Sequence, residues 1–100
     1  LTYRVLVCGS PDYANAEMIC YALSRLAYQH GSLEVNDIGG SGACAGARWY
    51  RTARGWPGSS VWSQTALDDA PHDYVLSFGE DVQGVTAKAR SAGIKVGEVA

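Results

Sequence analysis

The sequence predicts an α/β fold of Rossmann-like type: a three-layer sandwich, with a mainly parallel sheet of 4–5 strands and helices on both faces. Three observations carry this. Short Val-rich runs alternate with helix-patterned segments along the chain. The runs at 3–8 and 73–78 read as buried strands, and 94–99 as the last strand. Glycine-bearing turns follow three of the strands, where strand would pass into helix.

The 100 residues suit a single domain, 1–100, with one core. Hydrophobic residues at 47% against 18% charged place the chain among globular proteins rather than disordered ones. A net charge of −2 argues against a dedicated nucleic-acid surface. No apolar run approaches the roughly 18 residues that span a bilayer, so no membrane association is expected. The opening LTYRVLVCGS lacks the basic start and long apolar stretch of a signal peptide. Three cysteines, an odd count without a C-x-x-C pair, fit neither a disulfide framework nor a zinc site. A cytoplasmic protein is the expectation.

Each element has a local reason. YRVLVC (3–8) is an apolar strand, and GSPDY after it is a turn. NAEMICYALSRLAYQHG spaces Ile19, Leu23, Leu26 and Ala27 as one helix face. Asp12 or Asn15 is placed to cap its start, Gly31 to end it, and His30 to suit its negative end. LEVNDI (33–38) alternates as a strand. CAGARWYRTAR then forms a helix stopped by Gly55, with Trp49 or Tyr50 facing the core. GWPGSS is a loop, SVW a short weak strand, and QTALDDA one or two helical turns. DYVLSF (73–78), the turn GEDVQG, the helix VTAKARSAG and the strand IKVGEV (94–99) complete the chain.

Right-handed crossovers bring three turns to the carboxyl edge of the sheet. They are Gly9-Ser10-Pro11-Asp12, Gly39-Gly40-Ser41-Gly42 and Gly79-Glu80-Asp81. Together with Cys44 these residues form the candidate ligand site. Helix N–H groups and glycine backbone at such an edge suit an anion. The same small residues also suit close packing of the helix at 43–54 on the sheet, and composition alone leaves both readings open. Gly40-Ser41-Gly42-Ala43-Cys44-Ala45 matches G-x-G-x-x-A, but at the second strand-helix junction. No acidic residue stands about 20 positions later to read a ribose.

Asp12, Glu80 and Asp81 are hard-cation or acid–base candidates that also fit plain turn and capping roles. Cys44, at a helix start, is where a thiolate would be favoured, but a small residue filling the turn is the default reading. His30 and His72 have no Ser or Cys partner that suggests a triad. No catalytic residue and no metal ligand set is assigned. RWYRTARGW places Arg48, Arg51 and Arg54 beside Trp49, Tyr50 and Trp56. Such residues serve helix capping, single-strand binding or protein contacts. Arg48, Trp49 and Arg51 are the interface candidates, because Trp and Arg dominate binding hot spots.

RVLVCGSPDY, DIGGSGAC, HDYVLSF and ARSAGIKVGEV together resemble the YspA-like branch of the SLOG superfamily, in order and spacing over nearly the whole chain. These are small Rossmann-like proteins common in actinobacteria and their phages. The resemblance implies a nucleotide-derived ligand at the glycine turns, and often a dimer. The sequence departs from the family at Pro11 and Ser41, where the family carries Arg, and at Cys44, where it carries Asp. Ser63 and Gln64 replace an Arg-Asn pair. The Pro-Gly-Gly motif of the LOG phosphoribohydrolases is absent after Phe78.

The expectation is therefore a binding protein for a nucleotide-derived or similar small ligand, held by backbone N–H groups with Ser10 and Ser41. No cofactor is identified. The alternative is a protein-interaction module, phage-encoded and host-targeting or self-associating, with a decayed pocket. A nucleoside-phosphate hydrolase ranks below both.

Overall fold

The computed structural model describes residues 2–61, 66–69, 71–81 and 83–99. Four parallel strands form one sheet: β1 (Tyr3–Gly9), β2 (Leu33–Asp37), β3 (Tyr74–Phe78) and β4 (Lys95–Val99). Their order is β2-β1-β3-β4, with Val5 opposite both Val35 and Tyr74. The chain moves outward from β1 to β2 and then crosses back to β3. The carboxyl ends of β1 and β3 therefore flank a topological switch point, the usual ligand position in such sheets.

Helices α1 (Ala16–His30), α2 (Ala43–Arg54), α3 (Ala66–Asp69) and α4 (Val85–Ser91) cover the two faces. The pleat of β1 divides the core. Val5 and Val7 pack with Ile19, Leu23 and Leu26 of α1 and Ala43 and Ala47 of α2. Leu6 and Cys8 pack with Ala66, Val85 and Ala89 on the opposite face. The β1 side chains of residues 5–8 are fully buried, Val5, Leu6 and Val7 each contributing about 1.5–3 kcal/mol. That double burial is why the run 3–8 is apolar without alternation.

The helix ends follow their sequence signals. The Asn15 side chain accepts the Met18 N–H at 3.2 Å, so Asn15 rather than Asp12 caps α1. Gly31 ends α1, its N–H bonded to the Ala27 carbonyl, and Gly55 ends α2 in the left-handed region. His30 stacks on Tyr3 at 3.7 Å between ring centroids.

Among the described residues the weak strand is a single bridge. After α2 the chain returns along the outer edge of β2, pairing Asp37 with Ser60 in parallel. The N–H groups of Val35 and Asp37 bond the Pro57 and Ser59 carbonyls, which covers most of that edge. Trp62, Ser63 and Gln64 lie outside the described residues. No helix among the described residues is long and apolar enough to cross a membrane.

Candidate functional site

The three glycine turns meet, and the first is wedged between the other two. The Ser10 N–H donates to the Phe78 carbonyl at 2.9 Å, tying turn one to the end of β3. The Ser10 carbonyl accepts from Tyr13 N–H at 3.2 Å and from Ala43 N–H, at the start of α2, at 3.4 Å. Ser41 Oγ donates to the Pro11 carbonyl at 3.2 Å. Gly9 closes β1 against the Phe78 backbone, and Gly79 faces Ser10 Cβ and Tyr13.

Gly42 explains part of the glycine pattern by packing. It has φ 64°, and a Cβ there would lie 2.4 Å from the Ser10 carbonyl oxygen. Only glycine allows the α2 start to approach turn one so closely. Gly40 differs. A Cβ there would meet nothing within 4 Å, so the outer half of the same turn faces open space.

A fully buried carboxylate organises this outer half. Asp37 ends β2, and its Oδ1 accepts from Gly39 N–H and Ser60 Oγ, both at 2.8 Å. Arg48 and Arg51 reach it from α2, each with an N···O distance of 3.1 Å. They stand three apart, so both face β2 across one helix face. Arg51 also donates to the Val35 carbonyl at 2.8 Å. Arg48 donates its other terminal nitrogen to the Gly40 carbonyl at 2.6 Å. A buried carboxylate is tolerated only when paired and hydrogen-bonded in this way.

Two guanidinium groups against one carboxylate leave a surplus positive charge at the Gly39-Gly40 turn. Arg51 is 13% exposed and is spent on β2, while Arg48 is 34% exposed. An arginine thus reaches the Gly39-Gly40 turn from α2, eight residues beyond Gly40.

The acidic candidates diverge. Asp12 and Glu80 are exposed at the turns. Asp81 instead turns onto α4, its Oδ2 accepting from Thr86 N–H at 2.7 Å and Thr86 Oγ1 at 2.8 Å. Burial pushes the Asp81 carboxyl up, but these bonds and the Val85 and Gln83 N–H groups outweigh it and hold the carboxyl below its ordinary value.

Cys44 takes the packing role rather than the reactive one. Its helix-start position should favour the thiolate, yet burial pushes the thiol up, beyond what the Ile38 backbone and Arg48 lower. Its Sγ donates to the Val7 carbonyl at 3.5 Å and points into the protein. Cys8 on the other face is pushed to about 12, chiefly by burial and then by the Asp81 charge. Both thiols stay protonated at neutral pH, which removes them as nucleophiles.

The Arg/aromatic stretch is mostly used internally. Tyr50 faces the core, bonds Ser24 and stands edge-on to Trp56 at 5.5 Å. Arg54 lies over the Trp56 ring at 5.0 Å and donates to Tyr50 at 3.0 Å. Of the three interface candidates, only Trp49 points out, 67% exposed.

A groove of about 620 Å³ lies away from the turns, between α1 and the β3–β4 half of the sheet. Leu26, Tyr74, Leu76 and Val99 form its floor, and Tyr21 and Arg25 its rim. It exists because no helix covers that half of the sheet beside α1 among the described residues. It has fewer converging charged groups than the Asp37 cluster, so the turns are the better chemical candidate.

No family model matches the chain, and neither a curated protein nor a solved structure is significantly similar to it.

Proposed function

We propose that the protein binds a small anionic ligand of the nucleotide-derived class at the Gly39-Gly40 turn. The observation that carries this is Arg48. Its part-exposed guanidinium is held by Asp37 and the Gly40 carbonyl beside open backbone, at the carboxyl edge of a parallel sheet. A preorganised guanidinium loses little freedom on binding phosphate, and charge-assisted bonds of this kind contribute about 1.5–3 kcal/mol. Asp81 faces α4 rather than the turn, which lessens the repulsion an anion would meet. The resemblance to the YspA-like SLOG proteins supports the same ligand class.

The protein acts as a binder in this reading, with the turn backbone completing the cradle, since the Ser41 hydroxyl proton is already donated to the Pro11 carbonyl. Asp37 ends β2, where dinucleotide-binding folds read a ribose with an acid. Here its oxygens are occupied by Gly39, Ser60 and the two arginines, so the ligand's sugar is not read by that group.

A thermal-shift screen with AMP, ADP-ribose, NAD and pyrophosphate tests this. A ligand at 100 times its dissociation constant adds about 2.7 kcal/mol, or roughly 10 °C for a domain of this size. The expected result is a clear shift with at least one phosphate-bearing compound, lost in Arg48→Met. A flat screen, or a shift that Arg48→Met retains, removes the site. A protein-interaction role is the second reading, favoured by the exposed Trp49.

A further inference from the structure

The two helices on one side of the sheet carry an unusual outer surface. The large hydrophobic side chains exposed among the described residues are Tyr28 at 93%, Trp49 at 67% and Tyr21 at 59%. All three lie on α1 or α2, which share one face of the sheet. The α3/α4 side carries none of them. Aromatics of this kind, grouped on one layer, mark a protein contact more than a solvated helix.

Charge identifies the partner. Five of the six arginines make an intramolecular hydrogen bond or ion pair, through Glu34, Asp37, Tyr50 or Glu98. Arg25 makes none among the described residues, and neither does Glu17. These two unpaired opposite charges stand four residues before and four after Tyr21, on the outward side of α1. A helix with this arrangement is complementary to itself. When two copies cross antiparallel at Tyr21, Glu17 of each falls beside Arg25 of the other, twice.

We infer that the outer face of α1 is a homodimer contact, centred on Tyr21 and closed by two Glu17–Arg25 pairs across a two-fold axis. The isologous geometry follows because one patch must meet its own copy. Two identical exposed tyrosines stack at the centre, and the charge pairs fix antiparallel direction. One 15-residue helix face forms a small interface, so the test spans a wide concentration range. The contact does not depend on the ligand reading, since Arg48 and the glycine turns take no part in it.

Sedimentation equilibrium from about 5 to 500 µM tests the inference. Wild type is expected to dimerise across this range. Glu17→Arg and Arg25→Glu should each weaken the dimer about tenfold or more, because like charges then meet twice. The doubly swapped variant Glu17→Arg/Arg25→Glu should recover to within about threefold of wild type, since its pairs reform with signs exchanged. Tyr21→Arg, with two cations at the axis, should be monomeric. All these positions are exposed or at the helix surface, and unchanged thermal unfolding of each diluted variant confirms folding. A monomeric wild type throughout, a dimer indifferent to the single reversals, or a swap that fails to recover would each overturn the proposal.

Discussion

A Cβ at Gly42 would strike the Ser10 carbonyl oxygen at 2.4 Å, whereas a Cβ at Gly40, two residues earlier, would meet nothing within 4 Å. The same turn thus holds two kinds of glycine. The inner one lets two backbones touch and belongs to the fold. The outer one borders solvent beside a guanidinium and belongs to the candidate site. The contrast shows why a glycine-rich turn is poor evidence for a ligand by composition alone. What separates the halves is the neighbour of each glycine, and the neighbours of Gly42 and Gly40 come from distant parts of the chain.

The strongest break of this comparison is Gly42→Val. The clash is with backbone that has no flexible end to move, and φ 64° is itself strained for a branched residue. We expect a loss of about 4 kcal/mol or more, seen as failure to fold cooperatively in a urea melt. A Gly42→Val protein with near-native stability would mean that turn one and turn two do not touch in solution.

Next in size is Asp37→Ala, which strands two arginines around a buried gap. The expected cost is about 3–5 kcal/mol by chemical denaturation. A loss under about 1 kcal/mol would show the cluster to be solvated rather than buried.

Gly40→Ala should cost only about 1–2 kcal/mol, the strain of a left-handed residue with free space around it. The fold should survive, and the difference from Gly42→Val is the sharpest stability readout of the two halves. Equal losses at both positions would erase the distinction.

Acid sensitivity gives a subtler effect. Hydrogen bonds hold Asp81 below its ordinary 3.8 despite burial, and Glu34 is held below its ordinary 4.5 first by the Asn36 side chain and then by Arg4. Carboxyls depressed in the folded state add stability that is present above these ordinary values and lost as pH falls through the folded ones. The melting temperature should therefore decline on acidification below about pH 4.5, and Asp81→Asn should flatten part of that decline. A curve flat from pH 6 to 2, or an unchanged slope in Asp81→Asn, would contradict the assigned bonds. Smallest of all, Trp49→Ser should change stability by less than about 0.5 kcal/mol, because its ring leaves the core to Tyr50.

Much of the fold was legible because its causes are local. Val5 through Cys8 read as a doubly buried strand, and Asn15, Gly31 and Gly55 mark helix ends within a turn of where they act. Tyr50 or Trp49 was readable as core, though only packing distinguishes them. The meeting of the three turns was also readable, since parallel topology imposes it. Asp37 was not. It looked like one polar residue at the end of a strand, and its partners Arg48 and Arg51 come into reach only after the chain has turned through the glycines and run down α2. An acid at a buried strand end, followed by two arginines three apart on the next helix, is the signal that would have found it. The return along β2 was hidden for another reason: backbone groups of Pro57 and Ser59 make it, and they leave no side-chain pattern. Cys44 offered two readings at a helix start, and burial decides for packing because its effect on the thiol exceeds that of the helix start.

The most direct test of the site is an amide-resolved NMR titration of the protein with pyrophosphate, repeated with AMP. The account predicts that the amides of Gly39, Gly40 and Ser41 and the Arg48 side-chain N–H shift together and saturate, while Gly97, in the groove beside α1, stays still. Shifts confined to Gly97 and the α1 groove, or no shift at the turn with either compound, would contradict it.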